Sequence, residues 1–178
     1  MGFIKRFVFT ILIALAVVAA VALLLPDRAH VERSIAIDAP PSKIFPFINN
    51  LREFNRWSPW FSRDPAAEYR YSQPASGKGA RMSWHSTLRD VGNGSQTIVA
   101  VKRDEMVKTL LDFDWPGTAY ATFLLAPVPN GSIVTWQFDV QFSFDLVGRC
   151  IGLFMDRWIG PDYEQGLNNL KRLAEAEQ

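Results

Sequence analysis

The stretch GPDYEQGLNNLKRLAEAEQ, residues 160–178, decides how the rest of this chain is read. After the break at Gly160-Pro161, apolar residues fall at Tyr163, Leu167, Leu170 and Leu173 to Ala174, in steps of three and four. That spacing predicts an amphipathic helix. Glu164, Gln165, Asn168, Lys171, Arg172 and Glu175 occupy the opposite face. A helix with one oily stripe needs a larger apolar surface to lie against. If that surface curls around the helix without touching it everywhere, the gap is a pocket.

The larger surface is legible upstream as strands. Val31, Arg33, Ile35 and Ile37 alternate with Glu32, Ser34 and Ala36, a period of two that predicts a strand. Ser42 is placed to cap a helix with Ile44, Phe45, Ile48 and Leu51 on its apolar face and Pro46 in its first turn. Asn49-Asn50 interrupts it, a short helix over 52–56 follows, and Trp57-Ser58-Pro59-Trp60-Phe61 predicts an irregular aromatic bend.

From Glu68 the pattern becomes an antiparallel meander. Tyr69 and Tyr71, Met82 and Trp84, then Thr97, Val99 and Val101 mark three strands separated by glycine-rich turns. Val107, Thr109, Leu111, Phe113 and Trp115 alternate with Lys108, Asp112 and Asp114. A strand over 120–125 leads to Pro127-Val128-Pro129-Asn130-Gly131, where Asn-Gly tolerates positive φ and marks a hairpin. Val134, Trp136, Phe138 and Val140 complete the last strand, making about seven, and Leu146 to Trp158 is apolar with helical character.

The amino-terminal stretch differs in kind. Phe7 to Leu25 is an uncharged run of 19 residues, and a helix of that length is roughly 28 Å long, close to a bilayer's hydrocarbon thickness. The expectation is a retained transmembrane anchor, with a cleaved signal peptide as the competing reading. Lys5 and Arg6 ahead of the run favour a single-pass inner (cell) membrane protein with its domain in the periplasm or otherwise outside the cytoplasm. The chain then divides into an anchor with a short tether, residues 1–30, and one domain, residues 31–178.

Composition narrows the function classes. The formal net charge is +1 in 178 residues, and residues 31–178 carry 16 basic against 17 acidic groups. A nucleic-acid partner is excluded, because phosphate binding needs a clustered basic surface. Cys150 is the single cysteine, so no internal disulfide forms and no metal site rests on cysteine pairs. No His/Cys cluster, nucleophile elbow or phosphate-cradling loop is present, so no metal and no cofactor is expected.

Several positions together carry a family resemblance. Trp57-Ser58-Pro59-Trp60 after the helix pair, Gly77-Lys78-Gly79 leading to Trp84, Gly92-Asn93-Gly94 leading to Thr97-Ile98, Thr135-Trp136 on the last strand, and Gly166-Leu167-x-x-Leu170-Lys171 on the final helix resemble the START-like (SRPBCC) superfamily, in its polyketide cyclase/dehydrase branch. The resemblance spans residues 31 to 176. It implies an α+β helix-grip fold in which a curved antiparallel sheet of about seven strands holds the carboxy-terminal helix. It also implies a mostly apolar cavity for a lipid- or polyketide-like small molecule.

Aromatic walls suit such a ligand. The residues expected at it are Trp57, Trp60, Trp84, Trp115, Tyr120, Trp136, Tyr163 and Leu167. No catalytic residue is assigned. His85 follows Trp84 in a strand and so faces away from it, Asp112 and Asp114 are read as solvated charges, and Gln137 joins Tyr120 as a polar group whose face the spacing does not decide. The expected function is a membrane-anchored binding protein for a hydrophobic small molecule, touching the lipid bilayer through Phe7 to Leu25. The alternatives are a polyketide cyclase/dehydrase-type enzyme and a protein-interaction module on the same scaffold, for which no particular protein partner is indicated.

Overall fold

A computed structural model describes residues 2–113 and 118–176, with the side chains at positions 15, 16 and 19 outside that description. Trp115 and Asp114 therefore lie outside the described residues. The elements run α1 (Gly2–Leu24), β1 (Arg28–Ile37), α2 (Pro41–Asn49), α3 (Leu51–Phe54), α4 (Pro59–Arg63), β2 (Glu68–Tyr71), β3 (Arg81–His85), β4 (Asn93–Lys102), β5 (Met106–Asp112), β6 (Thr118–Val128), β7 (Gly131–Gln141), α5 (Leu146–Gly152) and α6 (Met155–Ala176). The strands form one seven-stranded sheet in the order β1-β7-β6-β5-β4-β3-β2, and every pairing is antiparallel. The α+β helix-grip expectation is met.

Alternation places the core. Val107, Thr109 and Leu111 of β5, Ala119, Ala121, Phe123 and Leu125 of β6, and Val134, Trp136 and Phe138 of β7 are all buried on one face. That face receives α6 through Tyr163, Leu167, Leu170 and Ala174. The helix is also held at its edges, where Lys171 Nζ donates to the Ala36 carbonyl at 2.8 Å and Glu175 accepts the Asp38 amide at 2.9 Å.

Gly160-Pro161 does not start the last helix. It lies inside α6. The glycine leaves a slot for Arg33, which projects from β1 to Asp156 at 2.8 Å and Glu164 at 2.7 Å. A Cβ at position 160 would stand 2.1 Å from that guanidinium. The hydrogen bonds that Arg33 donates to both carboxylates push its pKa up, and those to Asp156 hold that carboxyl below its ordinary value.

Other local expectations change as well. The cap of α2 is Pro40 rather than Ser42, with Pro41 at the first helical position and Pro46 inside the helix, because a proline ahead of Ser42 already supplies the helical φ. The aromatic bend contains a short helix, α4, which Pro59 opens. Strand β4 carries a bulge between Ile98 and Ala100, so its inward set is Gln96 and Ile98 and not a continuous alternation through Thr97 and Val99.

The amino-terminal expectation is corrected. Residues Gly2–Leu24 form a helix, and Arg149 of α5 donates to the Leu23 carbonyl at 2.8 Å and the Leu25 carbonyl at 3.0 Å. Among the described residues, however, no helix is long and apolar enough to cross a membrane. The single-pass inner-membrane assignment, the bilayer contact through Phe7 to Leu25 and the periplasmic or extracytoplasmic placement that rested on it are withdrawn.

Candidate functional site

Between the inward face of the sheet and α6 lies a cavity of about 100 Å³. Six strands, β2 to β7, contribute to it together with α3, α4 and α6, which is the arrangement of a sheet wrapped around a helix. One end is closed by aromatic packing. The Trp136 ring stacks on Tyr163 at 3.8 Å and on Phe123 at 4.8 Å, and meets Trp60 edge-on at 5.9 Å. Gly166 makes the first stack possible, since a Cβ there would stand 2.7 Å from the Trp136 ring. The other end is lined by Tyr69, Trp84, Val91 and Phe113, all at least partly exposed. Trp84 is clasped there, with its Nε1 donating to the Val91 carbonyl at 3.3 Å and its ring against Phe113 at 6.0 Å.

The sequence-derived residues separate by position. Trp60, Trp84, Trp136 and Tyr163 line the cavity. Trp57 and Leu167 are each 1% exposed and form the packing behind it, and Trp57 Nε1 donates to the Phe47 carbonyl at 3.1 Å. Tyr120 lies on the outer face of β6, with Lys108 Nζ 4.4 Å from its ring centre. Gln137 also faces outward, donating to Glu32 at 2.7 Å. His85 is exposed on the far face of β3 and Asp112 is exposed at the end of β5.

The lining also includes Asn55, Ser58, Met82 and Gln96, which sequence reasoning missed. Gln96 was hidden by the β4 bulge. The available signal was its pairing opposite Met82 on β3 and Leu111 on β5, two residues whose apolar side chains already mark the inward face.

The polar chemistry of the cavity is sparse. Asn55 Nδ2 donates to the Tyr71 hydroxyl at 2.7 Å. Burial pushes the Tyr163 phenol well above its ordinary pKa, with the Asp139 charge adding to the shift, and burial raises Tyr69 as well. Among the described residues, the lining includes no lysine, arginine, histidine or carboxylate. No group of metal-ligating side chains that could hold an ion occurs among the described residues.

Residues 28–175 match the family described as polyketide cyclase / dehydrase and lipid transport. No curated protein matches the chain. Among solved structures, a protein of unknown function, SA2116 from Staphylococcus aureus, superposes with a TM-score of 0.64 at 10% identity, covering 84% of this chain and 95% of that one. A norcoclaurine synthase point mutant from Thalictrum, in complex with a transition state analogue, gives a TM-score of 0.63 at 10% identity, covering 84% and 96%. Protein CV1439 from Chromobacterium violaceum gives 0.55 at 16% identity, covering 84% and 99%. At these identities the likeness is one of fold.

Proposed function

The chain belongs to the polyketide cyclase / dehydrase and lipid transport family, and we propose that it is a binding protein for a hydrophobic small molecule, held between the sheet and α6. The observation that carries this reading is the cavity itself, with aromatic walls and a partly exposed aromatic mouth inside an otherwise close-packed core. Voids larger than a water are rare in well-packed interiors. Its volume of about 100 Å³ is somewhat smaller than the roughly 150 Å³ apolar cavity that takes up benzene. A single ring, or the end of a longer apolar molecule emerging past Trp84 and Phe113, suits that space. Trp60, Trp84, Trp136 and Tyr163 are the contacts proposed for it, with Trp57 and Leu167 supporting them from behind.

An enzyme of the cyclase/dehydrase type needs an acid and a base poised near working pH within reach of substrate. Among the described residues, the ionisable lining groups are the phenols of Tyr69 and Tyr163, and both are shifted further from neutrality. Binding without intrinsic chemistry is therefore the reading the lining favours.

Titration with ethylbenzene followed by two-dimensional NMR tests it. Ethylbenzene should move the methyl resonance of Met82 and the ring carbon-bound proton resonances of Trp84 and Trp136, while Trp158 on the outside of α6 stays fixed. Lining resonances that stay put at saturating ethylbenzene would overturn the proposal.

A further inference from the structure

Three buried side-chain polar atoms among the described residues have no hydrogen-bond partner: Asn49 Oδ1, Gln96 Nε2 and Trp136 Nε1. Two of the three belong to residues that line this cavity. Gln96 is 6% exposed and Trp136 is 2% exposed, so bulk water does not satisfy them. An unpaired buried donor is a recurrent cost to the fold, and native structures seldom leave one without a reason. Here the two donors come from β4 and β7, strands separated by β5 and β6, so they stand on different walls of the same hollow.

Their chemistry restricts what could answer them. An indole N–H donates only, and an amide nitrogen donates only. A pure hydrocarbon would leave both bare. A ligand whose polar group is a donor alone, such as an ammonium, would face like with like. An anion would satisfy both donors but would enter a lining with no cationic side chain among the described residues, and burying a charge without a countercharge is strongly unfavourable. An uncharged acceptor is what remains.

Resting on the binding reading above, we propose that the ligand is an uncharged, mainly apolar molecule carrying a carbonyl-type acceptor, such as a ketone, ester or lactone oxygen, which Trp136 Nε1 and Gln96 Nε2 recognise. The aromatic walls supply affinity and these two donors supply selection. The closed end, where Trp136 is locked between Tyr163 and Phe123, holds its donor in a fixed direction.

Acetophenone and ethylbenzene have nearly the same size and shape and differ in the carbonyl oxygen, so the pair isolates the acceptor. The full-length protein should bind acetophenone about tenfold more tightly than ethylbenzene, as expected for one or two hydrogen bonds made to otherwise unsatisfied buried donors. Acetophenone alone should move the Trp136 indole N–H resonance downfield, that resonance being assigned by its disappearance in Trp136→Phe. Gln96→Met keeps the side-chain volume and removes the amide, and either this variant or Trp136→Phe should bring the two affinities together. Equal binding of both probes by the unaltered protein overturns this inference while leaving the binding reading intact. Binding of neither probe overturns both. A tenfold preference that survives in both variants places the acceptor elsewhere and also overturns it.

Discussion

At the closed end of the cavity Trp57 and Trp136 are enclosed by Phe54, Phe123 and Tyr163, whereas at the mouth Trp84 leans on Phe113 with part of its ring in solvent. The same residue type thus has two environments within one hollow. Trp57 also receives α6, because Asn169 Nδ2 donates to its carbonyl at 3.0 Å, so the closed end ties α6 to the bend between α3 and α4. Trp84 lies across Gly94, where a Cβ would stand 2.7 Å from its ring, and its Nε1 donates to Val91, away from α6. Packing at one end holds the grip together, and packing at the other shapes an entrance.

The largest test of that contrast is truncation at each end. Trp57→Ala should cost about 3–5 kcal/mol of folding stability, the range for removing a fully buried large aromatic. Trp84→Ala should cost about 1–2 kcal/mol, since part of its ring is already in solvent, while weakening acetophenone binding. Urea denaturation followed by far-ultraviolet circular dichroism measures both. Equal losses at the two positions would erase the distinction.

A smaller effect sharpens it. Glycine inside a helix normally loses to alanine by about 1 kcal/mol, so Gly166→Ala on an exposed helix face would stabilise. Here the added methyl meets the Trp136 ring at 2.7 Å and Pro59 Cδ at 3.3 Å. The expected outcome has the opposite sign, a loss of about 1–3 kcal/mol from overpacking. Combining it with Trp136→Phe, which shortens the ring, should recover part of that loss. Full additivity of the two substitutions in a denaturation cycle would show that they do not meet.

These particulars also show what the chain discloses before it folds. The stripe Tyr163, Leu167, Leu170 and Ala174 and the alternations of β5 and β7 are periodic, and period alone decides which way such residues face. That is why the helix-grip arrangement and four of the cavity's aromatic contacts were legible. Tyr120 and Gln96 were not, for related reasons. Tyr120 sits between Ala119 and Ala121, and two small residues give no hint that theirs is the buried face. Gln96 faces inward because the register shift between Ile98 and Ala100 reverses the alternation that runs back from Val101, and no residue type announces that shift. Gly160-Pro161 carried a stop signal that tertiary structure overrode, because the space the glycine leaves is filled by Arg33 from the far end of the chain.

The smallest effect compares the two phenols of the cavity by their protons. Tyr163 is buried at the closed end, and burial first, then the Asp139 charge, raises its pKa well above the ordinary value. Tyr69 at the mouth is raised in the same direction but is partly exposed. A raised folded-state pKa means that the neutral phenol is favoured by folding. The associated stability is complete below the unfolded value, near pH 10, and is lost as pH climbs through the folded one. In that window the unfolded chain has released a proton that the native chain still holds, so stability should fall by up to about 1.4 kcal/mol per pH unit for one fully shifted group. Tyr163→Phe should flatten the alkaline slope by nearly one proton, and Tyr69→Phe by only a fraction, in denaturation series run upward from pH 9. If Tyr163→Phe leaves the slope unchanged, the native phenol must ionise as readily as the free one. Solvent would then reach the end of the cavity that Trp136 and Phe123 close, and the two ends would no longer differ in the one property on which the selection of a neutral ligand depends.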